Sequence, residues 1–112
     1  EPNEVFEVIY LTTRNTVIGV ERISTGTIDR ASISPRKIIE QALKRRAAAL
    51  IFVHNHPSGE PDPSAEDRAL TETLSRIAAP LGIAVLDHIV VGKGKFFSIR
   101  ANSFIKTKKE KV

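Results

Sequence analysis

The run Ala48-Ala49-Leu50-Ile51-Phe52-Val53 stops at His54-Asn55-His56-Pro57, and this abrupt change constrains the fold more than any other feature of the chain. A short apolar run followed at once by turn formers reads as a buried strand rather than a helix. Pro57 cannot continue a ladder, and Ser58-Gly59-Glu60-Pro61-Asp62-Pro63 is a turn-rich loop. Ser64 then supplies a helix N-cap with Asp67 at the third helical position, an acidic variant of the capping box. Behind it Leu70, Leu74, Ile77, Ala78 and Leu81 recur at helical spacing. The expected unit is a strand end and a helix start joined by a stiff loop.

That junction collects chemistry. Side chains two apart on a strand leave from one face, so His54 and His56 can aim both imidazoles at one point while Asn55 points away. Asp67 brings a carboxylate from the helix start. Two imidazoles and a carboxylate suit one metal ion: zinc takes such donors, and its catalytic sites typically use three protein ligands with water in the fourth position. Iron, manganese and nickel also accept N and O donors, so residue types alone do not select among them. Each residue also has a structural use by itself. A His can simply end a strand, and Ser64 and Asp67 are favoured at a helix N-terminus by capping and by the dipole. Capping requires neither His, however, and a strand end requires no Asp at a set distance.

The flanking sequence supplies the rest of the architecture. Val5 to Thr12 and Thr16 to Ser24 are β-rich and read as a hairpin around Thr13-Arg14-Asn15; Gly26 ends the second strand, and Thr27 to Ile33 forms short extended pieces. Ser34-Pro35 starts a helix whose apolar face is Ile38, Ile39, Ala42 and Leu43. Ile83 to Val91 is a further strand, Gly92-Lys93-Gly94 turns the chain, and Lys95 to Ile99 returns beside it. This order gives one α/β domain, a mixed sheet with one helix on each side. Asp87 and His88 interrupt the apolar strand; a buried, hydrogen-bonded structural pair is one reading, and contact with a metal-binding His is the other.

Composition excludes several functions. Without Cys there is no disulfide framework, thiolate zinc ligand or Cys nucleophile, and the zinc deaminase signature is ruled out. No apolar run is long enough to span a bilayer, so no membrane role is expected and the cytoplasm is the default location. The net charge is +4, of which residues 106–112, with Lys106, Lys108, Lys109, Lys111 and Glu110, carry +3. The remainder is nearly neutral, and this basic C-terminal tail reads as a solvated terminus rather than a nucleic-acid arm. Lys44-Arg45-Arg46 falls at a helix C-terminus, where cations suit the dipole. Five Phe and one Tyr without regular spacing make a poor base-stacking platform.

His54-x-His56-Pro57-x6-Ser64-x2-Asp67 resembles the JAMM signature of MPN-type zinc metalloproteases. More narrowly, His54-Asn55-His56-Pro57-Ser58-Gly59, with Gly26-Thr27, Ser34-Pro35-Arg36, Ala47-Ala48-Ala49 and Leu86-Asp87-His88, is similar to the bacterial RadC-like branch. The resemblance spans almost the whole chain, residues 1–105, and implies an α-β-α JAB/MPN (cytidine deaminase-like) architecture. Members often carry a helix-hairpin-helix region ahead of this domain, so the chain looks like an isolated C-terminal domain. The resemblance further implies Zn2+ held by His54, His56 and Asp67, with Ser64 donating to the oxyanion that forms when water attacks an amide. It also implies a general-base Glu on an early strand in a Glu-Val-x-Gly-like context. Glu4-Val5-Phe6 fits by position and Glu4 is assigned as that base; Glu7 stands where Gly is expected, so Glu7 and Glu21 are rivals, each better read as a solvated strand residue. The expected activity is cleavage of a peptide or isopeptide bond in an unidentified protein substrate. The alternative is a noncatalytic binding module associated with DNA repair, the traditional label of the RadC-like branch.

Overall fold

The computed structural model describes residues 4–26, 33–56, 59 and 61–106, with side chains described outside 24–26 and 104–106. The order is β1 (Glu4–Leu11), β2 (Val17–Gly26), α1 (Pro35–Lys44), β3 (Ala49–Asn55), α2 (Ala65–Ala78), β4 (Ala84–Val91), β5 (Lys95–Ser98) and β6 (Ser103–Lys106). All six strands form one sheet in the order β2-β1-β3-β4-β5-β6. Every neighbouring pair is antiparallel except β3 and β4. A parallel neighbour needs a crossover, and α2 provides it. The end of β3 and the start of α2 lie together at one end of the sheet.

The local chemistry is as the sequence suggests. The β1–β2 turn closes through Thr12, whose Oγ1 accepts from the Arg14 and Thr16 amides, while Asn15 takes the left-handed conformation at φ 62°. Ser34 caps α1 by accepting from the Lys37 amide at 3.2 Å, with Pro35 in the first turn. After α2 a single 3-10 turn, Ala79–Leu81, ends at Gly82 with φ 75°.

The core lies on one face of the sheet. Phe6 pairs with His54, Val8 with Phe52 and Tyr10 with Leu50, so these alternate residues share a face. Phe6, Val8, Tyr10, Leu50 and Phe52 form one buried cluster with Ile38, Ile39 and Ala42 of α1 and with Leu70, Leu74 and Ala78 of α2. The α/β class, the single mixed sheet and its flanking helices are those expected; the side on which the helices lie is not. Both pack on the same face. The reason is topological: β2, β3 and β4 run in the same direction, and the two crossovers step the same way across the sheet. One handedness of connection then puts both helices on one side. On the opposite face Val5, Glu7, Ile9, Ile51 and Val53 are only half-buried.

β6 is a second departure. It pairs Lys95 with Lys106 and Phe97 with Phe104, extending the sheet past the expected last strand and into the first residue of the basic tail. Four residues running into lysines carry too little alternation to signal a strand. The rest of the tail and the segment 27–32 lie outside the described residues. Arg45, expected as a dipole-stabilising cation, closes α1 and lies over the Tyr10 ring with its guanidinium carbon 4.6 Å from the centroid.

Candidate metal centre

His54 ends the buried half of β3, where strand alternation turns it toward the helices and leaves it 1% exposed. The Phe6 ring, its cross-strand partner, stacks on it at 5.8 Å. His56 follows immediately after β3 and is tied back by its amide, which donates to the Val91 carbonyl at 3.1 Å. Asp67 lies in the first turn of α2 and is fully buried. Its cap is reciprocal: the Asp67 amide donates to Ser64 Oγ at 3.0 Å and the Ser64 amide donates to Asp67 Oδ2 at 2.9 Å. The capping box therefore also aims the carboxylate.

The three groups converge. His54 Nε2 and His56 Nε2 are 3.0 Å apart, and Asp67 Oδ2 lies 3.4 Å from the first and 3.5 Å from the second. A tetrahedral shell with metal–donor distances of about 2.0–2.1 Å spaces its corners about 3.3 Å apart, so the triangle matches one face of such a shell. The donor chemistry fits as well, because imidazole nitrogens facing a carboxylate oxygen can share a cation between them. His54, His56 and Asp67 are thus candidate ligands for a single metal ion.

Glu4 joins from the start of β1, with Oε2 3.7 Å from His54 Nε2. Glu4, His54 and His56 could themselves hold an ion, as could His54, Asp67 and His88. The rival carboxylates lie elsewhere. Glu7 sits one residue out of phase with Phe6, pairs with Val53 and bonds Arg22 at 3.2 Å on the other face. Glu21 accepts from the Tyr10 hydroxyl at 2.7 Å. That hydroxyl is held well above the ordinary phenol range, first by burial and then by its bond to the Glu21 carboxylate.

Two supporting residues escaped the sequence reading. Asn55 does point away from the cluster, but its Oδ1 accepts the Val5 amide at 2.6 Å, tying the start of β1 beside Glu4 to the end of β3. Thr71 stands four residues after Asp67, hence on the same side of α2. That spacing was the available signal. Its hydroxyl donates to the Asp67 carbonyl at 2.9 Å and meets His88 Nδ1 at 2.6 Å. Of the second polar pair, Asp87 is structural: it accepts from the His88 and Arg100 amides and from Ser98 Oγ, fastening β4 to β5 and the turn beyond. His88 instead reaches His54, with Nε2 2.8 Å from His54 Nδ1.

Comparison with known proteins bears on this geometry. The family model described as "RadC-like JAB domain" matches residues 1–104. A UPF0758 protein of Actinobacillus pleuropneumoniae serotype 5b is 49% identical over 104 residues, which is 93% of this chain and 47% of the relative. One from Alkaliphilus oremlandii is 41% identical over 102 residues, 91% of this chain and 44% of the relative. One from Pseudomonas fluorescens is 49% identical over 94 residues, 84% and 42% respectively. The chain therefore spans somewhat less than half the length of these curated relatives. Among the described residues, no helix is long and apolar enough to cross a membrane.

Proposed function

The chain belongs to the RadC-like JAB domain family, and from that premise we propose that it is a zinc-dependent hydrolase cleaving a peptide or isopeptide amide bond. The observation that carries the proposal is the donor triangle of His54, His56 and Asp67, with sides of 3.0, 3.4 and 3.5 Å. These three residues would hold the ion. Zinc bound there would lower the pKa of its water to about 7 and would polarise the amide carbonyl.

The chain's own groups do the rest. Glu4, half-buried beside His54, takes the proton of the attacking water at its carboxylate and passes it to the departing amine. Ser64 accepts the Asp67 amide as a cap, and its hydroxyl proton serves the oxygen on which negative charge develops. The β3 end holds both imidazoles, and the Asn55 anchor keeps the start of β1 beside them. A noncatalytic module associated with DNA repair gives no reason for Glu4 to face the cluster.

One pair of variants tests this. Metal analysis of protein purified without a polyhistidine tag should find zinc in the wild type and in Glu4→Gln, and none in His56→Ala. On a peptide library, Glu4→Gln should hydrolyse about 10²–10⁴-fold more slowly than wild type, the usual worth of a general base. Undiminished hydrolysis by Glu4→Gln would remove Glu4 from the mechanism, and a zinc-loaded wild type that cleaves nothing would favour the binding module.

A further inference from the structure

A hydrogen-bond chain runs from the backbone of α2 to Nδ1 of His54, the nitrogen turned away from His56 and Asp67. The Asp67 carbonyl can only accept, and the direction of the chain follows from the Thr71 hydroxyl, 2.9 Å away, giving its single proton there rather than to His88. Thr71 Oγ1 then has only lone pairs to offer His88 Nδ1 at 2.6 Å, and that nitrogen must carry the hydrogen. A neutral His88 ring with Nδ1–H leaves Nε2 as an acceptor. Its partner at 2.8 Å is His54 Nδ1, which must therefore donate. With that polarity the hydrogen of His54 falls on Nδ1, and its Nε2 has a lone pair toward His56 and Asp67.

We propose that Thr71 and His88 are positioning residues that fix His54 as the Nδ1–H tautomer, so that its Nε2 is ready to bind a divalent cation. The proposal rests on the metal-holding reading of His54, His56 and Asp67. On that reading neither residue is a ligand, since His54, His56 and Asp67 would hold the cation. His88 is fully buried with its ring edge-on to Phe6 at 5.6 Å and to Phe52 at 5.8 Å, which prevents it from turning away. Thr71 links two ligands at once: the residue that orders His54 through His88 also bonds the backbone of Asp67. Such a partner on the far nitrogen of a metal-binding His sets ring orientation and ligand basicity, and its loss typically costs 10- to 100-fold in metal affinity.

The test uses metal-stripped protein and long-range proton–nitrogen NMR of the imidazoles, at one alkaline pH where histidines are ordinarily neutral. With only three His in the chain, each ring is assignable. The expected wild-type spectrum shows His54 as a single Nδ1–H tautomer. Thr71→Val keeps the shape and deletes the hydroxyl; it should give a mixture of His54 tautomers and zinc affinity about 10- to 100-fold weaker in competition with a chromophoric chelator. Thr71→Ser restores the hydroxyl and should recover both readouts. A merely structural role for Thr71 would leave the His54 tautomer unmoved. The relay is overturned by a wild type with His54 protonated on Nε2, a spectrum that decides the point even if a variant does not fold. It is also overturned if Thr71→Val keeps both the single tautomer and the wild-type affinity. Failure of the relay and failure of the metal reading are separable, because the latter appears as a wild type that binds no zinc whatever its tautomer.

Discussion

Asp67 shows how one side chain serves fold and site together. Its carboxylate closes the capping box of α2 through Oδ2, and the same oxygen lies within 3.5 Å of both imidazoles. Asp67→Asn separates the two roles. The amide keeps an acceptor for the Ser64 N–H but loses the charge, so metal-free Asp67→Asn should unfold within about 1 kcal/mol of wild type, the scale of a whole cap. Its zinc affinity should fall by at least about 100-fold, as measured by chelator competition, because an amide is a poor replacement for a carboxylate donor. A variant that retained zinc would confine Asp67 to capping. Tyr10 gives a pH prediction away from the site. Its folded-state pKa is raised by burial and by Glu21, so its stabilisation is fully present below the unfolded value of about 10 and is lost as pH rises through the raised folded value. With one Tyr and no Trp, phenolate absorbance reports this group alone. The intact protein should show no ionisation at the pH where a free phenol is half-ionised; a midpoint there in folded protein would contradict the burial argument. At this scale the cluster of candidate residues was legible, since His54, His56, Ser64 and Asp67 carry a spacing. Glu4 was preferred to Glu7 and Glu21 by position alone, while the strand phase and register that put Glu4 rather than Glu7 beside His54 have no local signal.

The loop after His56 is an element whose position depends on a close approach. A Cβ on Gly92 would sit 2.5 Å from the Gly59 carbonyl oxygen and 2.8 and 2.9 Å from Pro61 ring carbons. Backbone and a proline ring cannot yield as a flexible side chain does. Lys93 also donates its amide to the Gly59 carbonyl at 3.0 Å, so the loop is clamped to the end of β4 just where His56 bonds Val91. Gly92→Ala should therefore cost about 1–3 kcal/mol in denaturant unfolding, the usual cost of overpacking. An unchanged midpoint would show that the loop is free to shift. The sequence displayed Gly92 as a turn residue, and its contact with residues over thirty positions away had no local signal. The same limit applies to β6 and to the side of the sheet taken by α1. Apolar periodicity announces that a helix has a buried face, while strand order decides which face of the sheet receives it.

For the molecule as a whole, the site lies at the carboxyl end of β3, where the one parallel pair of the sheet needs a crossover and α2 returns over the strand. Open α/β sheets commonly place ligands outside the carboxyl ends of their strands. Here the fold brings β1, β3, α2 and β4 to that end, so residues from Glu4 to His88 meet over His54. The central claim is that His54, His56 and Asp67 grip one zinc ion. Zinc K-edge X-ray absorption of the untagged, zinc-loaded protein tests it most directly. The account predicts a low-coordinate ion with N and O donors at about 2.0–2.1 Å and the outer-shell scattering of two imidazoles, lost in His54→Ala. A hydrated ion without imidazole scattering, or a signal indifferent to His54→Ala, would contradict it.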